Sequence, residues 1–147
     1  MPTIDTEYVR TGKLQYIVRD FPLEAIHPHA FKAAEAAHCA GEQGKFWEMH
    51  HRLFANQRQL APADLGAHAR ALALDGAKFD ECLGSGRHAP RIRKDLAEGE
   101  KAGVRGTPTM FLGVREGNDT RLRVLGAIQG AQPLATVKDA IEKALKP

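Results

Sequence analysis

The side chains with the widest chemical reach in this sequence are two cysteines and seven histidines. Cys39 and Cys82 lie far apart and form neither a Cys-x-x-Cys pair nor a four-ligand zinc pattern, so they read as buried thiols or as one structural disulfide. His27, His29, His38, His50 and His51 cluster around Cys39, and a zinc site built from His27, His29 and a helical histidine is one chemistry these types allow. Successive helical residues diverge by about 100°, however, which makes His38 with Cys39, or His50 with His51, poor ligand pairs. The metal-free reading is preferred, and no cofactor is expected. Asp20 and Glu24 flank Pro22 in "RDFPLE"; ion pairing or capping is their default role, because an acid–base pair requires a cleft and a perturbed carboxyl. No nucleophile elbow, Walker loop or Gly-x-Gly-x-x-Gly run is present, so hydrolase and nucleotide chemistry have no positive support.

A second feature with chemical content is "GVRGTPTM", residues 103–110. Gly106 and Thr107 lead into Pro108 at the head of an apolar run, a loop type that presents its backbone to whatever lies opposite.

The elements that hold these residues are legible from period and punctuation. "DTEYVRTGK" reads as a short helix capped by Asp5 and stopped at Gly12. "LQYIVRDF", residues 14–21, alternates and is rich in β-branched and aromatic side chains, so it is predicted to be the first strand. From Pro28 to about Asp95 the pattern is helical with Gly and Pro breaks, giving five short helices. Their inner faces carry Phe31, Ala34 and Cys39; Phe46, Met49, His50, Leu53 and Phe54; Leu65, Ala69 and Leu72; Phe79, Cys82 and Leu83; and Ile92 and Leu96. Trp47 is read as core packing beside Phe46. Pro62 starts the third of these helices, Asp75 caps the fourth with Gly84 as its stop, and Gly103 ends the fifth. The period then becomes alternating: "PTMFLGV", a turn in "REGNDT" and the antiparallel return "RLRVLGAI". A final helix places Leu134, Val137, Ile141 and Leu145 on one stripe.

Composition narrows the function classes. At 147 residues with 43% hydrophobic content, the chain suits a single globular domain with its own core. The net charge of +3 is a slight excess spread over both signs, and the basic stretches "RHAPRIRK" and "RLRV" read as solvated faces, so no nucleic-acid partner is expected. No run of 18 apolar residues occurs and "MPTIDTEYVRTGK" lacks the apolar centre of a secretory signal. As written, the chain reads as cytoplasmic, with no membrane partner.

A β-hairpin followed by a C-terminal helix, with Thr-Pro at the hairpin's start, is similar to the second half of a thioredoxin fold. In combination, "RDFPLEAIHPHAFKAAEAAHCAGEQGKFWEMHHRLFANQ", "FDECLGSG", "GVRGTPTMFLG" and "GAQP" resemble DsbA-like disulfide oxidoreductases, the thioredoxin-fold enzymes with a helical insertion. The resemblance covers about residues 7–145 and implies one α/β domain over 1–147 with its insertion at about 28–103. It implies extracytoplasmic ancestry and a Thr-Pro loop with a cis peptide bond that binds the substrate backbone, here Gly106, Thr107 and Pro108. It also implies a structural disulfide between Cys39 and Cys82, with buried thiols as the alternative in a reducing compartment.

Against that family pattern, the sequence opens at "EYVRTGK", in what the resemblance makes the last turns of the active-site helix. The central strand and the Cys-x-x-Cys are not in it, and no residue carries over as a catalytic thiol. The fold expected is therefore a truncated thioredoxin-like fold whose central strand is missing. Unpaired buried backbone groups cost about 1–3 kcal/mol each, so either the two flanking strands close up and pair antiparallel or a second chain fills the gap. A homodimer, with strand exchange as one form, is favoured because the uncovered sheet face is apolar. The function expected is a non-catalytic protein- or peptide-binding module or dimeric remnant. Thiol–disulfide exchange through Cys39 and Cys82, or with a partner that supplies the dithiol, is the alternative, as is a fragment with no selected activity.

Overall fold

The computed structural model describes residues 2–115 and 122–146. Its helices are α1 (Pro2–Ile4), continued by a π-helical segment Asp5–Val9, then α2 (Ala30–Gly41), α3 (Phe46–Ala55), α4 (Pro62–Ala71), α5 (Gly76–Ser85), α6 (Ala89–Lys101) and α7 (Leu134–Ala144). Two strands, β1 (Thr109–Arg115) and β2 (Leu122–Gln129), form an antiparallel sheet. The backbone divides into two compact units, Arg19–Gly103 and the remainder, Met1–Val18 with Val104–Pro147.

The Arg19–Gly103 unit is helical because its apolar residues recur at helical spacing, with Pro62, Asp75, Gly86 and Gly103 marking breaks between the helices. α2 is alanine-rich, which favours helix and lets neighbours approach closely; Ala36 and Ala40 are completely buried. Around them pack Met49 and Leu53 from α3, Leu65 and Ala69 from α4, and Phe79, Cys82 and Leu83 from α5. Pro62 occupies the first turn of α4, where its missing N–H costs nothing. The Asp75 side chain accepts from the Lys78 amide at 3.1 Å and caps α5 as expected. The stop falls at Gly86, in the left-handed conformation with φ 64°, two residues beyond the predicted Gly84. Gly103 follows α6 with φ 82°, consistent with its predicted role. On α3 the inner face is narrower than expected: Phe54 is 65% exposed, and Trp47 is also exposed.

In the other unit, Ile4, Tyr8, Ile128, Val137 and Ile141 make a second small core with Leu14, Met110, Leu112 and Ala140 against it. The Tyr8 hydroxyl donates to Glu142 Oε1 at 2.7 Å, which pushes the phenol up to about 12. Leu134 and Leu145, read as part of the α7 stripe, are largely exposed, so the buried face is Val137 and Ile141. β1 pairs with β2 from Thr109↔Gln129 to Arg115↔Leu122, with a bulge between Leu112 and Gly113 that leaves Leu125 as the extra residue. The turn read in "REGNDT" lies largely outside the described residues.

The N-terminal turn is not a helix capped by Asp5: Asp5 lies inside the π-helical segment and its carboxylate pairs with Arg10 at 2.7 Å. "LQYIVRDF" is not a strand, and it has not closed up against β1; among the described residues the sheet holds β1 and β2 alone. Alternation and β-branching suit a pleated surface but do not supply hydrogen-bond partners, and a strand forms only where a neighbouring edge accepts it.

Candidate functional site

The Gly106–Thr107–Pro108 loop enters β1 through a cis Thr107–Pro108 bond. It is tied on both sides: the Thr109 hydroxyl donates to the Gly106 carbonyl at 2.7 Å, and the Gly130 amide donates to the Pro108 carbonyl at 2.8 Å. Thr107 and Pro108 are exposed and Gly106 is half-buried. Among the described residues, the Thr107 backbone N–H and C=O have no protein partner, nor does β1 have a second strand beside it. Such an edge offers donors and acceptors in the register that an extended chain requires.

In the helical unit, Cys39 of α2 and Cys82 of α5 are joined in a disulfide with Cα atoms 5.8 Å apart, both sulfurs deep in the core at 1% exposure. Each cysteine faces inward because it falls on the apolar stripe of its helix. Thiol–disulfide exchange with a protein substrate needs an accessible sulfur and a thiolate, and at 1% exposure neither sulfur is open to so large a partner.

Sequence reasoning missed His88, whose type was hidden in a basic stretch read as a solvated face. His88, at the N-cap of α6, has a ring nitrogen within 4.8 Å of both sulfurs, and its Nε2 lies 2.9 Å from Glu42 Oε1. Arg87 fixes the same carboxylate, with Nη2 2.7 Å from Glu42 Oε2, and holds the Glu42 carboxyl below its usual range, the His88 contact adding to the effect. The His88 ring stacks on His38 at 5.3 Å. No local signal announces this arrangement, which depends on where α6 starts relative to α2 and α5. Among the described residues, Cys39, Cys82 and His88 are the set of ligating atoms that lie together; His27 and His29 are exposed and outside it.

Asp20, left to ion pairing or capping from sequence, reaches His38 Nε2 at 2.6 Å. Its amide donates to Asp95 Oδ2 at 3.2 Å, and Asp95 is paired with Arg19 at 2.6 Å. Glu24 is exposed. Of the predicted basic face, Arg91, Arg93 and Lys94 are solvated, with Arg93 lying over the Phe31 ring at 5.7 Å.

An antiparallel hairpin with α7 packed on it and a cis-proline at its entrance, in a chain otherwise built of short helices, is the pattern of a thioredoxin-like α/β fold. A family model described as thioredoxin matches residues 1–129, and the chain belongs to that family. It is 47% identical over 102 residues to Na(+)/H(+) antiporter NhaA 1 of Salinispora arenicola, a match spanning 69% of this chain and 16% of that protein. Na(+)/H(+) antiporter NhaA 3 of Salinispora tropica is 44% identical over 114 residues, 78% of this chain and 18% of that one. A protein of Herminiimonas arsenicoxydans named Na(+)/H(+) antiporter NhaA is 36% identical over 99 residues. The matched region thus spans less than a fifth of the length of these relatives. Among the described residues of this chain, no helix is long and apolar enough to cross a membrane.

Proposed function

We propose that this chain is a thioredoxin-like binding module of the DsbA-like disulfide oxidoreductase kind, which takes an extended polypeptide along β1 and does not itself exchange disulfides. The observation that carries this reading is exposed Thr107, whose backbone has no protein partner among the described residues, at the head of a strand edge that no described strand covers. The two cysteines support the second half of it, since both are consumed in a buried bond. Gly106, Thr107 and Pro108 are the binding residues in this reading, and unfolded protein is the ligand class. The antiport named for the much longer relatives is not part of the role proposed for this chain.

The test uses reduced, alkylated ribonuclease A as an extended probe and amide NMR as the readout. Shifts and exchange protection at Thr107 and along Thr109–Arg115 are expected on titration; amides that stay unmoved at millimolar probe overturn the reading. In an insulin-reduction assay the chain is expected to give no dithiol-dependent turnover above background.

Self-association through the same unit is a second reading, favoured by the exposed apolar side chains Ile17, Phe111, Leu122, Val124 and Leu125. A homodimer is then expected by light scattering at micromolar concentration, and a stable monomer there removes this second reading.

A further inference from the structure

The geometry of the helical unit points to a redox-gated metal site: we propose that reduction of the Cys39–Cys82 bond opens a three-residue site, Cys39, Cys82 and His88, for a thiophilic divalent cation such as Zn²⁺. Three observations carry it. The two sulfurs and a ring nitrogen of His88 already lie within 4.8 Å of one another. A tetrahedral zinc with bonds of about 2.3 Å to sulfur and about 2.0 Å to nitrogen spaces its ligand atoms about 3.3–3.8 Å apart. Breaking the covalent bond moves the sulfurs out to van der Waals separation, toward that spacing, and the histidine nitrogen, within 4.8 Å of both, has at most about an ångström to travel.

The second observation is the partner of His88. A carboxylate accepts and cannot donate, so at the 2.9 Å contact Nε2 carries the proton toward Glu42, and Nδ1, the nitrogen left with a lone pair, is the one the proposal assigns to the metal. Histidine ligands depend on such an outer carboxylate to fix ring orientation and tautomer, and Glu42 is itself held by Arg87 at 2.9 and 2.7 Å. The third is access: both cysteines are buried, but the His88 side chain is 20% exposed, so one edge of the site meets solvent.

The chemistry balances without help from other side chains. A dithiol reductant gives two electrons and two protons to the Sγ–Sγ bond, yielding two thiols, and leaves as its own disulfide. Zn²⁺ then displaces both thiol protons to solvent, forming two Zn–S bonds and one Zn–N bond, and water completes the four-coordinate shell. In the oxidised state neither sulfur is a thiolate and the site is closed.

The experiment compares oxidised chain with chain reduced under native conditions, the thiols being counted after denaturation and the helices followed by circular dichroism. Each is given ZnCl₂ alone, desalted and assayed for metal, then titrated with Co²⁺. The reduced chain is expected to retain about one zinc, the oxidised chain less than about a tenth of that, and only the reduced chain to show a thiolate-to-cobalt charge-transfer band. A Glu42→Gln substitution is expected to weaken zinc binding by about 10–100-fold, the range for losing an outer partner, and His88→Ala by more. Equal zinc on both forms, His88→Ala with unaltered affinity, or a reduced chain whose helices melt and are not restored by zinc would each overturn the proposal.

Discussion

Nε2 of His38 lies 2.6 Å from the Asp20 carboxylate, and through this contact the segment entering the helical unit is fastened to α2. Asp20 also donates its amide to Asp95 on α6, so one residue links two helices that sequence keeps far apart. His38 is only 7% exposed. Replacing Asp20 by alanine takes away the partner of a buried ring nitrogen, a class of change that costs about 1–3 kcal/mol. The expected outcome is a lower urea midpoint with an unaltered slope. A double-mutant cycle with His38→Ala should give a non-zero coupling energy, as contacting residues do; additivity would show that the two stabilise the unit separately.

Much of this fold is legible from local pattern. The five central helices announce themselves through the spacing of residues such as Met49 and Leu53 on α3, and through Pro62, Asp75 and Gly103 at their ends, because helical hydrogen bonds close within a few residues. The hairpin is legible for a similar reason, β1 and β2 being neighbours in sequence. "LQYIVRDF" fails as a strand because its pattern states a preference for a pleated surface, whereas a strand exists only with a partner edge. His88 was invisible as a site residue because its neighbours in space come from α2 and α5, and a basic stretch looks the same whether or not one of its members turns inward.

Gly113 is fixed by the bulge it adjoins. A Cβ at this position would meet the Arg123 carbonyl oxygen at 2.8 Å, a backbone atom that cannot swing away. Gly113→Ala is expected to destabilise by about 1–3 kcal/mol, the usual range for forced overpacking. Gly66 is a fitting contrast: it lies within α4, where a Cβ would meet only the end of the Arg70 side chain at 3.5 Å. Gly66→Ala should therefore stabilise by about 0.5–1 kcal/mol, since alanine loses less freedom in a helix. Opposite signs for the two glycines in one urea series constitute the check, and matching signs would contradict the space assigned to each.

The disulfide closes a loop of sequence separation 43 between α2 and α5. Chain-entropy reasoning puts its contribution at about 4 kcal/mol, by restricting the unfolded ensemble. Guanidinium unfolding with and without a phosphine reductant, with chelator present throughout, should show a loss of that order. A loss below about 1 kcal/mol would mean that the unfolded chain is already compact across this loop.

His50 supplies the pH dependence. Its Nδ1 is buried without a hydrogen-bond partner among the described residues, and its ring is surrounded by Phe46, Trp47, His51 and Phe54, the last at 4.7 Å. Burial depresses its pKa most, nearby His51 adds to this, and Asp20 opposes it. The folded state therefore binds this proton less readily than the unfolded chain, whose histidines titrate at about 6.5. Because stability rises with pH wherever the unfolded state holds more protons, the contribution of His50 is present in full above about 6.5 and is lost as pH falls through that value toward the lower folded pKa. An NMR titration of the His50 ring should give a midpoint below about 6.5, and His50→Gln should flatten the acid side of the stability profile. A midpoint at or above the ordinary histidine value would show that Asp20 outweighs burial, and the slope would then reverse.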